Sequence, residues 1–339
     1  MERRALLEET LLTSKPKNNP LKELLAPKLK STPKSGTGFG SSSKHGNNPK
    51  VALAEQQAKV VKRDGVCRID RALQGDTADR LLAHVLEQQG LALKKTQADA
   101  GTSKNFYGVE NQRKARCDLQ LSLLRGGFAA DDNEPISDEV DHVLADALQE
   151  LLGERGTLRY LYEELVTLRG EFYEMAAVVT DPGSNRQQVH PDLPYRDTPP
   201  LYVIFLALQD VTIDMGPTSF LLKTHTAKEN RKFNDYAQKD DQLVNADCRL
   251  STLKKGDAVL FDARILHCGN ANDAKKGQTR ALFNFSFRNP EVVADLGYAG
   301  SIRPGYVRAM NLGDLAATLK AYEDGDGQAF DKYGDGLGK

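Results

Sequence analysis

The apolar positions of this chain change rhythm once. Between residues 51 and 170 they recur every three or four residues, the spacing of helices that bury one face. Helices are predicted over 51–63 (VALAEQQAKVVKR), 78–90 (ADRLLAHVLEQQG, opened by Asp76 or Thr77 and closed by Gly90), 136–153 (ISDEVDHVLADALQELLG) and 157–170 (TLRYLYEELVTLRG). One early strand is predicted at 65–70 (GVCRID). From Phe172 the apolar residues fall instead into short runs cut by proline and glycine: 172–179 (FYEMAAVV), 201–211 (LYVIFLALQDV), 218–222 (TSFLL), 257–262 (DAVLFD) and 281–287 (ALFNFSF). Short strands separated by turn signals suit an antiparallel jelly-roll, so the expected fold class is α+β. A charged stretch from Ala227 to Lys239 interrupts the strands as a helix or irregular lid, and a last helix is predicted over 311–322 (NLGDLAATLKAY).

The ends differ from this body. The first fifty residues carry ten Lys and Arg against four Glu, with Pro, Gly and Ser gathered in KSTPKSGTGFGSSSKHGNNPK. Such a stretch buries too little apolar surface to offset its ordering entropy, and disorder is expected after about residue 30. Short helical turns are expected in 5–12 (ALLEETLL) and 20–27 (PLKELLAP). Residues 1–50 read as a solvated linker or a targeting segment; Glu2, Glu8, Glu9 and Glu23 weigh against a transit peptide. Residues 51–323 read as the folded domain and 324–339 as a flexible acidic tail. Asp324 and Asp326 have the gap of a calcium loop, but Ala329 stands where glycine is required and Asp335 where glutamate is required, so that reading fails.

Composition narrows the class. The 339 residues are 40% hydrophobic and 27% charged with a net charge of −1, a soluble globular balance that makes no case for nucleic acid or an anionic membrane. No apolar run approaches the roughly 18 residues of a membrane span. Four cysteines without CxxC spacing point to reduced thiols and an intracellular, cytoplasmic protein, with organellar targeting as the alternative.

The candidate chemistry lies in three places. His190 and Asp192 stand in QQVHPDLPY, His267 ends the apolar run before CGN, and Arg280 opens ALFNFSF. Alternate residues of an extended segment point the same way, so His190 and Asp192 can reach one ion together. Two imidazoles and one carboxylate are the ligand set of a mononuclear non-haem Fe(II) site, which leaves one face of the metal open. A buried guanidinium at Arg280 would hold a dicarboxylate in a bidentate fork. Cys268 is rejected as a ligand because a neighbour in an extended segment points to the opposite side.

From Asp64 to about Pro290 the chain resembles the phytanoyl-CoA dioxygenase-like branch of the Fe(II)/2-oxoglutarate oxygenases. The resemblance is carried by DGVCRID, GDTADRLLAHVLEQ, QQVHPDLPY, LYVIFLALQDVTIDMGPTSFLLKTHT, KKGDAVLFDARILHCGNAND and TRALFNFSFRNP, in the family's order. It implies a double-stranded β-helix (jelly-roll, cupin-like) core with flanking helices. It also implies Fe(II) on His190, Asp192 and His267, 2-oxoglutarate on Arg280, and O2 as the second co-substrate. The implied reaction oxidises a small molecule, as in specialised metabolism, with release of succinate and CO2. An intact Asp192 favours hydroxylation, desaturation or oxidative ring closure over halogenation. The stretch between His267 and Arg280 is about two residues longer than usual for the family, which makes Lys275 and Lys276 rival anchors.

Around this set, Gln187 reads as a substrate-side donor or a solvated loop amide. Tyr173 and Tyr202 could place hydroxyls near 2-oxoglutarate or lie in the core. Thr218 is expected to face the pocket, His225 to be structural and His142 to lie at a surface or edge. Arg288 faces the substrate or flanks a turn, and a carboxylated small molecule would suit Arg196 or Arg288. Two other classes stay open: a cupin-type metalloenzyme without 2-oxoglutarate, and a non-catalytic binding or sensing module of the same fold.

Overall fold

The short apolar runs after Phe172 become strands of two facing sheets. The computed structural model describes residues 22–27, 48–99, 108–123, 141–297 and 310–330. Among them the strands are β1 (Lys22–Glu23), β2 (Val66–Ile69), β3 (Val109–Arg113), β4 (Arg116–Gln120), β5 (Glu171–Thr180), β6 (Leu201–Ala207), β7 (Thr218–Leu221), β8 (Cys248–Leu250), β9 (Ala258–Asp262), β10 (His267–Gly269) and β11 (Arg280–Arg288). The larger sheet runs β2-β9-β6-β11-β5-β4-β3 and the smaller β1-β8-β7-β10. The segment at His190 extends the smaller sheet past β10, because His190 and His267 exchange both backbone hydrogen bonds, at 3.0 and 2.9 Å. Two four-stranded layers then alternate along the chain, β5-β11-β6-β9 facing 190-β10-β7-β8, which is a double-stranded β-helix.

The central strands of the larger sheet divide their apolar residues between two layers. Met175, Ala177, Val179, Ile204, Leu206, Phe283, Phe285 and Phe287 face the helices; Leu201, Val203, Val259, Phe261 and Leu282 face the smaller sheet with Phe220. The helical layer comprises α1 (Pro49–Asp64), α2 (Gly75–Ala98), α3 (His142–Leu152), α4 (Arg159–Val166) and α7 (Leu312–Glu323). Tyr162 of α4 packs on Phe287 at 4.7 Å between ring centroids. Burial of each such ring contributes about 2 kcal/mol.

Several boundaries depart from the sequence pattern. The helix expected to stop at Gly90 continues to Ala98, because Ala92 buries on the next turn and holds it to the core. The helix expected from Ile136 is described from His142, with Asp141 accepting from the Val143 and Leu144 N–H groups as its N-cap; residues 136–140 lie outside the described residues. The expected lid is two short helices, α5 (Ala227–Asn234) and α6 (Lys239–Asn245). The pattern does not show the hairpin β3–β4, and the turn expected at 20–27 is instead a two-residue strand, β1, parallel to β8. Residues 324–330, read as the start of a flexible tail, fold back and bury Phe330 beside Tyr322. The basic segment expected to be disordered lies mostly outside the described residues. Among those residues no helix is long and apolar enough to cross a membrane.

Candidate metal centre

His190, Asp192 and His267 converge where the smaller sheet ends, with their donor atoms within 4.8 Å of one another. The backbone pairing fixes His190 beside His267. The Leu193 N–H then donates to the Ala263 carbonyl at 3.1 Å, returning Asp192 to the turn before β10. Asp192 Oδ1 lies 3.3 Å from His267 Nε2 and 3.8 Å from His190 Nε2. Donors bound side by side to one ion at about 2.1 Å sit about 3 Å apart, so the three fit a single metal.

Both imidazoles are oriented from behind. His190 Nδ1 is 2.7 Å from the Gln188 carbonyl and His267 Nδ1 is 3.0 Å from the Ile265 carbonyl. A proton on each Nδ1 serves those bonds and leaves both Nε2 atoms to the cluster. His267 is buried between Phe220 and Phe261, at 5.7 and 5.1 Å, while Asp192 sits on the open side.

The metal-free cluster favours a proton on His267. Burial acts to lower the His267 pKa, but the charge and hydrogen bond of Asp192 outweigh it and raise it above the ordinary imidazole value. Burial and the charge of His267 lower that of His190. For Asp192, burial acts upward and the charges of His267, His190 and Arg116 prevail, holding the carboxyl below its usual range. A divalent metal must displace the His267 proton. Metal affinity is therefore expected to climb about tenfold per pH unit up to the His267 pKa and then level off. Calorimetric titration with Co(II) in buffers of different ionisation enthalpy should show proton release below the His267 pKa that fades above it; a flat pH profile would refute the ion pair.

The other end of the same space is cationic. Arg280 is buried at the start of β11, donates from Nη1 to the Gly216 carbonyl, and has no partner for Nε. Burial and then the neighbouring charge of Arg116 lower its pKa to about 10, which leaves it charged at neutral pH. Gly216 itself adopts φ +68°, and a Cβ there would come within 2.4 Å of the Asn270 carbonyl oxygen, so the approach requires glycine. Arg116 pairs with Thr180 across β4–β5, and Thr180 with Arg280 across β5–β11, placing the three in one row. Asp118 binds Arg116 Nε at 2.9 Å, and Thr180 Oγ1 is buried without a hydrogen-bond partner. Arg116 and Asp118 escaped the sequence reading; the available signal was the alternation of Arg116, Asp118 and Gln120 with Cys117 and Leu119.

The other expected residues divide. Thr218 alternates with the inward Phe220, and pairs with Gly269 two residues from His267, so it faces the centre. Tyr173 packs between the sheets. Gln187 is a positioning group, with its N–H donating to the Gly269 carbonyl and its Oε1 accepting from the Gly269 N–H, each at 2.9 Å. Tyr202 is on the wrong face: it pairs with Phe287 and packs in the helix-side layer, away from the cationic end. Arg288 is held by the chain itself, with Nε and Nη2 donating to the Val292 carbonyl at 3.1 and 2.6 Å. Arg196 likewise donates to the Asp295 carbonyl. Lys275 and Lys276 are exposed in a turn, which leaves Arg280 as the buried cation. Cys268 points to the opposite side of β10 from His267, and His225 is buried beneath α1, with Nε2 3.2 Å from the Lys62 carbonyl. His142 is exposed against Tyr322.

Fold and site together define a double-stranded β-helix protein with a two-histidine, one-carboxylate centre. The family model of phytanoyl-CoA dioxygenase (PhyH) matches residues 61–280, and the chain belongs to that family. Iron with 2-oxoglutarate is the cofactor set to which the family and the His–Asp–His cluster correspond. No curated protein matches the chain. Among solved structures, the chain is similar to the non-heme alpha ketoglutarate dependent epimerase SnoN from nogalamycin biosynthesis (14% identity, 74% of this chain and 94% of that one, TM-score 0.46). It is also similar to the carbocyclase SnoK of the same biosynthesis (14%, 72% and 87%, 0.48). A third is AviO1 from Streptomyces viridochromogenes Tue57 (16%, 70% and 95%, 0.48). At that distance a shared reaction does not follow.

Proposed function

We propose that this protein is an Fe(II)- and 2-oxoglutarate-dependent dioxygenase that oxidises a small organic molecule, releasing succinate and CO2. One observation carries the reading. Two Nε2 atoms and a carboxylate converge at one end of the inter-sheet space, and a buried guanidinium with an unpartnered Nε stands at the other. His190, Asp192 and His267 would hold iron; Arg280, with Thr180 and Arg116 in its row, would hold the far carboxylate of 2-oxoglutarate. Bound together, iron and 2-oxoglutarate supply the oxidising chemistry. The chain's part is to orient them: carbonyls aim the imidazoles, Asp118 steadies Arg116, and the apolar walls exclude water from the far carboxylate. An aspartate in the third ligand position favours hydroxylation, desaturation or oxidative cyclisation. Arg196 donates from Nη2, and Arg288 from Nε and Nη2, to backbone carbonyls.

The test is anaerobic absorption spectroscopy with Fe(II) and 2-oxoglutarate. A charge-transfer band near roughly 500 nm is expected, the signature of a chelated 2-oxo acid on an open iron face. Iron bound with no band would defeat the proposal and leave a cupin-type metal site that does not use 2-oxoglutarate.

A further inference from the structure

The three side chains of the metal centre are not held alike. Carbonyls of Gln188 and Ile265 aim the imidazoles of His190 and His267. Asp192 has no such guide. Among the described residues its carboxylate has only the two imidazoles as hydrogen-bonding or ion-pairing partners, at 3.3 and 3.8 Å. Its direction is therefore set by its backbone. That backbone, residues 191–199, belongs to no strand or helix. Pro191, Pro194, Pro199 and Pro200 also give it no N–H to place in a ladder.

Arg264 supplies the missing anchorage. It stands two residues past the end of β9, where its Nε and Nη2 donate to Asp262 Oδ1 and Oδ2 at 2.9 and 2.6 Å. Both side chains of this bidentate pair are buried. The remaining edge of the guanidinium turns to the metal-bearing segment: Nη1 donates to the Arg196 carbonyl and, at 3.1 Å, to the Asp197 carbonyl. The guanidinium also lies 5.4 Å from the centre of the Tyr195 ring, whose hydroxyl donates to Asp197 at 3.1 Å. Together with the Leu193 N–H on the Ala263 carbonyl, three hydrogen bonds tie residues 193–197 to Ala263 and Arg264. A buried charge pair is by itself weak evidence for a stabilising role. The two further bonds to one irregular segment, the segment that carries a metal ligand, are what distinguish this pair. Lysine could not make them all, because a single ammonium lacks the planar fork that serves Asp262 on one edge and two carbonyls on the other.

We infer that Arg264 is a positioning residue for the metal: it fixes the backbone of 193–197 so that Asp192 stands beside the two Nε2 atoms before an ion arrives. The inference rests on the metal-site half of the proposed function and is independent of 2-oxoglutarate. Without the clamp the segment must be ordered as the ion binds, and that ordering is subtracted from affinity.

The experiment measures Ni(II) binding to the full chain by calorimetry and amide hydrogen exchange in the metal-free protein. Ni(II) binds nitrogen and oxygen donors more tightly than Fe(II), so a two-histidine remnant stays measurable. Arg264→Lys keeps a positive charge beside Asp262 and gives up the carbonyls. Its Ni(II) affinity is expected to fall about tenfold or more, the scale of losing a group behind a ligand. The Leu193 amide should exchange about tenfold faster, while amides of β5 and β11 keep their wild-type rates. Asp192→Ala then separates positioning from general structure. If Arg264 acts through Asp192, Arg264→Lys costs no further affinity once Asp192 is gone. An equal loss in both backgrounds would make Arg264 a structural residue and overturn the inference. So would Ni(II) affinity within about threefold of wild type in Arg264→Lys. Where the lysine variant does not fold, Asp262→Asn/Arg264→Met removes both charges together and takes the same measurements. If the wild type binds no Ni(II), the metal reading itself has failed, and the inference falls with it.

Discussion

Arg280→Met is expected to abolish 2-oxoglutarate binding while leaving the metal-free protein at least as stable as wild type. In the metal-free state Arg280 is a desolvated cation with an unpartnered Nε, beside the charge of Arg116 and with Asp118 already held by Arg116. Replacing a buried, poorly compensated charge with an apolar side chain of similar length is often neutral or stabilising, and here only the bond to the Gly216 carbonyl is lost. The opposite holds once the diacid is present. Its carboxylate supplies the missing partner in a buried setting, where losing one member of a charge pair costs about 2–5 kcal/mol. Affinity for 2-oxoglutarate should fall by more than about 100-fold. Thermal denaturation reads both halves: saturating 2-oxoglutarate should raise the melting temperature of the wild type and leave that of Arg280→Met unmoved. A variant that melts far below wild type and still gains stability from 2-oxoglutarate would make Arg280 a structural residue.

Which parts of this site were legible follows from how each residue is exposed to its neighbours. His190 and Asp192 could be paired from sequence because they lie two apart in an extended segment, and parity alone puts them on one side. Arg280 was legible because a charge opening a long apolar run has few reasons to be there except a buried anion. Tyr202 was not, because β6 is covered on both faces and reads LYVIFLA without alternation, so the sequence carries no mark of which face each residue takes. Only the register with β11 shows Tyr202 turned to the helices. Arg288 follows the parity of Arg280 and is inward, yet the fold of residues 289–297 brings carbonyls to it, and no local pattern encodes that return. The row of Arg116, Thr180 and Arg280 joins three strands that are distant in sequence, so the second cation belongs to the sheet order and not to any motif. Gly90 shows the reverse case: a local stop signal overridden when Ala92 found a buried place.

These features make the inter-sheet space asymmetric in charge. One end holds a net cation; the other holds a carboxylate and two imidazoles. The cationic end leaves polar atoms unsatisfied, a cost in folding stability that the rest of the aromatic, helix-backed layer absorbs. The two ends therefore stabilise the protein by ligand binding, and should do so additively where the ligands do not touch each other.

Asp192→Asn should separate the electrostatics of the metal end from its shape. The amide keeps the size of the side chain but removes the anionic donor, and iron or Co(II) affinity is expected to fall by more than the 10–100-fold typical of losing a group behind a ligand. Little stability should be lost, since Asp192 lies on the open side. The metal-free variant carries a second, independent readout. Burial acts to lower the His267 pKa, and Asp192 is the main influence opposing it. With that charge gone, burial prevails and the His267 titration followed by NMR should move from above the ordinary imidazole value to below it. The sign matters for metal uptake. Wild-type protein must give up a proton from His267 as metal binds, so its affinity falls as pH drops through the His267 pKa; in the variant that pKa is lowered, and the fall should begin at a lower pH. Retention of the metal within tenfold of wild type would remove Asp192 from the ligand set. An unmoved His267 titration would mean that the 3.3 Å contact does not set the proton's position.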